Sequence, residues 1–149
     1  MTRLSVIALF FLHFNTVKAA ASDAAFLEAI AQVESGGNLK AVGKAGERGQ
    51  YQVGREAWDD ASARLEAKGT YHNQWSKWRN AVVQDMIAAQ HLLTLRERFA
   101  SVGISDPTPE QLALAWNRGF TGARRLRWKS NDYAVRVGNL FRLQSILPR

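Results

Sequence analysis

Apolar residues recur at three- and four-residue spacing through much of the chain, which is the pattern of amphipathic helices. The first such stretch runs over residues 22–35, where Phe26, Ile30 and Val33 share one face. Gly36-Gly37 follows directly, and glycine readily adopts the left-handed conformation that ends a helix. We therefore predict a helix over 22–35.

Two more helices are predicted in the middle of the chain. The first spans residues 55–68 and carries Trp58 on its apolar face. A loop over 70–74, which contains His72, separates it from a long helix that reaches about Phe99. The apolar stripe predicted for this long helix consists of Trp75, Trp78, Val82, Met86, Ala89 and Leu93.

The last part of the chain carries two strong helix starts. Thr108-Pro109-Glu110-Gln111 combines an N-cap threonine, a proline at the first helical position and a glutamine at the third. The helix that follows is apolar almost all round over 111–117, which predicts burial, and Gly119 is its stop signal. Asn131 or Asp132 then caps a final helix, whose predicted inward residues are Tyr133, Val137, Leu140, Phe141 and Ile146.

Residues 39–54 do not follow a helical pattern, because glycines recur at positions 43, 46, 49 and 54. The weak alternation here predicts that Tyr51 and Val53 face inward, and that Gln52 or Gln50 points into a cleft. No repeat or linker divides the chain. We therefore predict a mainly α, single-domain fold, with a short β-hairpin or an irregular loop near residues 46–54.

The N-terminus has the pattern of a secretory signal peptide. Arg3 precedes the apolar run Leu4–Phe14, and Ala19-Ala20-Ala21 supplies small residues for cleavage after Ala19 or Ala21. The alternative, a membrane anchor, needs a longer apolar run than this one. We expect residues 1–21 to be the signal, residues 22–149 to be the domain, and the protein to be periplasmic or secreted without a stable membrane span.

Charge and cysteine content narrow the class of protein. The formal charge is +7, or +5 once Arg3 and Lys18 are removed, so the domain is basic. Outside a cell such a domain meets anionic wall polymers more often than nucleic acid, which we do not expect as a partner. Cysteine is absent, so the fold depends on its core alone, and we expect a monomer.

One carboxylate stands out on the first helix. Glu34 falls between Ile30 and Leu27 at the apolar face, whereas Glu28 points to water. An apolar surrounding disfavours the charged form of a carboxyl group, so its pKa rises and it can act as a general acid. The alternative is that Glu34 only ends an amphipathic helix and reaches solvent.

Other chemistries find little support in the sequence. His72 and His91 lack the helical partner or the cysteines of a zinc site, so we expect no metal and no cofactor. No pattern indicates a serine or cysteine nucleophile with a histidine base. Asn117 either caps backbone groups or faces a cleft. The basic segment Arg124–Lys129 either grips a polyanion or is a solvated turn.

Four ordered segments carry a resemblance to a known family. They are Glu34-Ser35-Gly36-Gly37-Asn38, Gly46-x-x-Gly49-x-x-Gln52-Val53, the segment from Leu112 to Gly119, and Tyr133-Ala134-Val135-Arg136-Val137. Together they resemble the motifs of the SLT-type lytic transglycosylases of the lysozyme-like superfamily.

This resemblance implies a lysozyme-like fold and a role for each matched residue. Glu34 would be the catalytic acid/base, Gln52 and Asn117 would line the glycan groove, and Tyr133 would lie near the carboxylate. Ser35 matches a serine that commonly follows the glutamate. Tyr51 and Trp116 replace other bulky residues of the family and can still stack on sugars, whereas Glu47 and Gln50 make the loop more polar than usual.

The implied reaction is cleavage of the β-1,4 bond between N-acetylmuramic acid and N-acetylglucosamine in peptidoglycan, giving 1,6-anhydro-muropeptides. Hydrolysis of the same bond is the alternative and usually needs a second carboxylate, for which Glu47, Asp59 and Asp60 are candidates. A third interpretation is a wall-binding protein that has kept the fold and lost activity.

Overall fold

The computed structural model describes residues 22–70 and 74–146. This part of the chain forms a mainly helical domain, which confirms the predicted fold class. Its helices are α1 (residues 22–35), α2 (Arg55–Ala67), α3 (Ala81–Ser101), α4 (Pro109–Arg125) and α5 (Asp132–Ile146). A short 3₁₀ helix, Trp75–Lys77, precedes α3. Helix α4 packs against α3 and α5, and α2 packs against α3.

Helix α1 lies within the core and ends as predicted. Phe26 and Ile30 are buried, and Phe26 makes an edge-to-face contact with Phe141 of α5, with ring centroids 6.3 Å apart. Gly36 and Gly37 have φ angles of 65° and 77°, and their amides donate to carbonyls of the last helical turn. The helix therefore ends at Ser35, one residue after Glu34, and the chain turns away there.

Helix α4 begins with the predicted capping box. The Thr108 hydroxyl accepts from the Gln111 amide at 3.2 Å, and the Gln111 side chain accepts from the Thr108 amide at 2.8 Å. Leu112 and the three residues after it are buried, as their apolar pattern predicts. Gly119 does not end the helix but kinks it, because its φ of 69° and ψ of 155° suit glycine alone, and a second helical segment continues to Arg125.

The predicted stripe of the long middle helix is confirmed at Trp75 and Trp78, which pack in or against the core, and was wrong after them. The chain breaks after the 3₁₀ turn, and the Asn80 side chain caps α3 by accepting from the Val83 amide. Val82 and Leu93 of the predicted stripe are exposed. The buried face is rotated by about one residue, because the stripe was continued through a break that resets the helical phase; its apolar members are Val83, Ile87, Ala88, Leu92, Leu95 and Phe99.

Helix α5 follows its prediction over most of its length. The Asn131 side chain accepts from the Ala134 amide and so supplies the predicted cap. Val137 is buried, and Tyr133 packs against the core. Ile146 was predicted to face inward and is instead 77% exposed, because it lies at the end of the helix beyond the core.

Residues 36–54 form an irregular loop rather than a hairpin of regular strands. Isolated antiparallel bridges pair Val42 with Arg48 and Arg48 with Val53. Tyr51 and Val53 are buried, as the alternation predicts. Part of the predicted loop over 70–74, including His72, lies outside the described residues.

A buried glutamine of α3 fastens this loop to the domain. The Gln84 side chain is 2% exposed and accepts from the Gln50 amide at 2.8 Å. Its amide nitrogen donates to the carbonyls of Leu39 at 2.9 Å and Trp78 at 2.7 Å. Gly49 has a φ of 75° and lies so close to this side chain that a Cβ atom would overlap it. The loop conformation therefore requires both residues.

We predict that Gly49→Ala lowers the free energy of unfolding by about 3 kcal/mol. The alanine would have to adopt a left-handed backbone conformation, and its Cβ atom would overlap the Gln84 side chain. The matched control is Gly69→Ala, since Gly69 has a φ of 78° but open space around its Cα. It should cost about 1 kcal/mol. Urea denaturation measures both, and equal losses would contradict the account of the loop.

Candidate active site

Glu34 occupies the last turn of α1 and is half-buried against the core. Burial is the largest influence on its carboxyl group and raises the pKa above its usual range, as its place on the apolar face predicts. The carboxyl group therefore keeps its proton to a higher pH than an exposed glutamate does. This is the property required of a general acid.

Tyr133, from the first turn of α5, is the hydrogen-bond partner of Glu34. Its hydroxyl donates to Glu34 Oε1 at 2.6 Å. This hydrogen bond stabilises the charged carboxylate and opposes the rise in pKa. Within the described residues Oε2 has no hydrogen-bond partner, so one oxygen is fixed and the other is left for a ligand. The predicted proximity of Tyr133 to Glu34 is thus observed.

Glu47 is a carboxylate whose charge acts on Glu34. Its negative charge raises the pKa of Glu34 further, as expected of a like charge nearby. The Glu47 carboxylate accepts from the Ala45 amide at 3.1 Å. A Cβ atom built on Gly43 would overlap the side chains of both Glu47 and Gln52, which places these two polar groups together over Gly43.

Gln52 has an unusual backbone for a residue with a side chain. Its φ is 46°, in the left-handed region, and its side chain donates to the Gly49 carbonyl at 2.8 Å. Such conformations cost free energy and tend to occur at functional sites. Gln52 thus closes the tight turn between the bridged residues Arg48 and Val53.

Ser35 connects the helix carrying Glu34 to the same loop. Its hydroxyl donates to the Gln50 carbonyl at 2.8 Å and accepts from the Asn38 amide at 3.0 Å. Both contacts are within the protein. Ser35 was predicted to bind substrate, and that role stays a prediction; in the structure its hydroxyl joins α1 to the loop.

Tyr51 and Trp116 were predicted to stack on sugars, and they differ in how far they are buried. Tyr51 is 8% exposed, its ring packs in the core, and its hydroxyl donates to Asp85 at 2.8 Å. Trp116 is half-buried; its indole nitrogen donates to the Tyr51 carbonyl at 3.2 Å, and its ring contacts His91 edge-on. Burial lowers the pKa of His91 to about 4, which keeps that ring neutral.

Asn117 follows Trp116 on α4 and is exposed. Its side chain makes no hydrogen bond within the described part of the chain, so it is not a local cap. Of the two readings open from the sequence, the exposed side chain is compatible with a cleft.

Asp59 and Asp60, the other candidate second carboxylates, are each bound in an ion pair. Both lie on α2, where Asp59 pairs with Arg55 at 2.7 Å and Asp60 pairs with Arg64 at 3.2 Å. Of the three candidate second carboxylates, Glu47 is the one with a resolved effect on Glu34. No three His, Cys, Asp or Glu side chains in residues 22–70 and 74–146 converge to hold a metal.

Sequence reasoning missed the contribution of α3. Asp85 Oδ1 accepts from the Tyr51 hydroxyl at 2.8 Å and from the Gln50 side chain at 3.0 Å, so the Gln50 side chain is bound to α3. Gln84, beside it, holds the loop backbone. The missed signal was a polar residue on a buried face, which becomes visible only when the helical phase of α3 is correct.

Comparison with family models gives one match to the same region. A family described as transglycosylase SLT domain matches residues 12–139. The match begins inside the predicted signal segment and includes every candidate residue above. Comparison with curated proteins and with solved structures gave no match.

We predict that Tyr133→Phe raises the pKa of Glu34, since the variant loses a hydrogen bond that favours the carboxylate form. A carboxyl-detected NMR titration of Glu34 measures the change directly. If Glu34 acts as a general acid, the loss of activity at high pH should also shift to a higher pH in this variant.

The matched comparison is Glu47→Gln, which removes the neighbouring negative charge and should lower the pKa of Glu34. Asp59→Asn removes a charge from α2 and should leave the titration unchanged. Shifts of the same sign in Tyr133→Phe and Glu47→Gln would contradict the account of the site.

Proposed function

Because the chain belongs to the transglycosylase SLT family, we propose that it cleaves the β-1,4 bond between N-acetylmuramic acid and N-acetylglucosamine in peptidoglycan, with Glu34 as its catalytic acid and base. The observation that carries this proposal is the half-buried Glu34 carboxyl group, with one oxygen held by Tyr133. Family membership supports peptidoglycan as the substrate. The roles of single residues and the product are part of the proposal.

In the first half of the reaction Glu34 Oε2 gives its proton to the bridging oxygen, and the bond from that oxygen to C1 of the muramic acid breaks. The Tyr133 hydroxyl stabilises the carboxylate that results, since it donates to Oε1. The acetamido oxygen of the substrate can stabilise the cationic carbon, as in substrate-assisted glycosidases.

In the second half the Glu34 carboxylate takes the proton of the 6-hydroxyl, and that oxygen bonds to C1. A 1,6-anhydro ring forms, no water is consumed, and Glu34 regains its proton. One carboxyl group therefore serves both steps. Its raised pKa favours the protonated starting state, and the Tyr133 hydrogen bond limits that rise so that the proton can leave.

The glycan would lie along the surface that Gln52, Trp116 and Asn117 border. Asn117 is exposed and would bind an amide or hydroxyl of the sugar, and the half-buried Trp116 is bound through its indole nitrogen to Tyr51, the residue before Gln52. Gln52 lies with Glu47 over Gly43. We assign these residues to positioning of the glycan.

Hydrolysis is the second candidate, and the observation in its favour is that the charge of Glu47 acts on the Glu34 carboxyl group. An inverting hydrolase holds its two carboxyl groups about 6.5–9.5 Å apart so that one can activate water. If Glu47 plays that part, the products carry reducing ends and Glu47→Gln is inactive. In the transglycosylase mechanism Glu47→Gln stays active, because Glu47 takes part in neither proton transfer.

Export to the periplasm or the outside of the cell is also proposed. It is supported by Arg3, by the apolar run Leu4–Phe14 and by the small residues before Ser22. No helix within the described ranges is long and apolar enough to cross a membrane. The N-terminal residue of the protein recovered outside the cytoplasm tests this proposal.

We predict that Glu34→Gln lowers the rate of peptidoglycan cleavage at least about 100-fold, the lower range for loss of general acid catalysis. Gln can still accept the Tyr133 hydrogen bond, so the variant should fold and still sediment with insoluble peptidoglycan. Release of soluble muropeptides, followed by mass spectrometry, measures cleavage. The matched control is Glu28→Gln on the exposed side of α1, which should cleave like the unmodified protein.

Undiminished cleavage by Glu34→Gln would overturn the proposed role of Glu34. Binding without cleavage by the unmodified protein would instead favour the wall-binding interpretation.

A further inference from the structure

Gln50 is the residue at which three parts of the domain meet. Its amide donates to Gln84 Oε1 at 2.8 Å, and its carbonyl accepts from the Ser35 hydroxyl at 2.8 Å. Its side chain donates to Asp85 Oδ1 at 3.0 Å. Three polar groups of one loop residue are thus bound to α3 and to the residue beside Glu34.

The neighbouring loop residue is held in the same way. The Tyr51 hydroxyl donates to Asp85 Oδ1 at 2.8 Å, and the Tyr51 carbonyl accepts from the Trp116 indole at 3.2 Å. Two adjacent residues of α3 therefore bind different parts of the loop. Gln84 forms hydrogen bonds with the loop backbone, and Asp85 accepts hydrogen bonds from two loop side chains.

These contacts fix the loop that carries the polar groups near Glu34. Gln52 lies one residue after Tyr51, and Glu47 lies one residue before Arg48, whose backbone pairs with Val53. A shift of residues 48–53 would therefore move Glu47 and Gln52 relative to the end of α1.

We propose that Gln84 and Asp85 are positioning residues, which hold residues 48–53 against the end of α1 and so set the placement of Glu47 and Gln52 beside Glu34. Neither residue is among the groups that act on the Glu34 carboxyl group. The kinetic consequence rests on the proposed function, whereas the structural consequence does not.

The electrostatic surroundings of Glu34 make this positioning measurable. The groups that act on it are Tyr133 from α5 and Glu47 from the loop. Arg136 of α5 acts on Tyr133, and Glu28 of α1 acts with Asp85 on the Tyr51 hydroxyl. If residues 48–53 loosen, Glu47 no longer stays near Glu34, and the pKa of Glu34 falls toward its usual value.

The test compares Asp85→Ala with Asp85→Asn. Asp85 is exposed, so both variants should fold, and Asn keeps an oxygen that can accept from Tyr51 and Gln50. Glu97→Ala, an exposed carboxylate on the same helix, is the control. Amide hydrogen exchange of residues 48–53 reports on the loop without any activity, and the pH profile of peptidoglycan cleavage reports on Glu34.

We expect Asp85→Ala to speed exchange in residues 48–53 about tenfold or more and to move the falling limb of the pH profile to lower pH, with Asp85→Asn largely restoring both. Unchanged exchange in Asp85→Ala would overturn the proposal, as would an Asp85→Asn variant that behaves like Asp85→Ala, since charge alone would then matter. If the unmodified protein fails to cleave peptidoglycan, the proposed function fails while the exchange result still decides the role of Asp85.

Discussion

The hydrogen bond from Tyr133 to Glu34 joins the two ends of the domain that matter most for its chemistry. Glu34 comes from the end of the first described helix and Tyr133 from the start of the last one, 99 positions apart in sequence. Burial raises the pKa of the carboxyl group and the tyrosine hydroxyl opposes that rise. The edge-to-face contact of Phe26 in α1 with Phe141 in α5 packs the same two helices against each other.

The loop between α1 and α2 separates two polar residues that look alike in the sequence. Glu47 and Gln50 both make this loop more polar than the corresponding loop usually is in the family. In the structure Glu47 acts on Glu34, whereas Gln50 turns to Asp85 on α3. Glu47 therefore affects the pKa of Glu34, and Gln50 holds the loop to α3. Nearby loop positions thus differ in what they do, since one affects the Glu34 carboxyl group and the other holds the loop in place.

Much of this arrangement was predictable from local sequence signals. The capping box at Thr108, the glycines after Ser35 and the apolar face around Ile30 all act within a few residues, so pattern alone indicates them. The contacts of Gln84 and Asp85 were not predictable, because they join α3 to a loop more than 30 residues away. The inward direction of Tyr51 was predicted from the alternation, but the hydrogen bond of its hydroxyl to Asp85 was not. The wrong phase of α3 arose at the break before Ala81, where periodicity ceases to constrain the next helix.

In the proposed reaction the Glu34 carboxylate accepts the proton of the 6-hydroxyl, and no water enters the product. Digestion of peptidoglycan in ¹⁸O-labelled water, followed by mass spectrometry of the muropeptides, tests it most directly. The account predicts anhydro ends, one water lighter than reducing ends, without ¹⁸O. Reducing ends that carry ¹⁸O would contradict it and would assign the protein to the hydrolases.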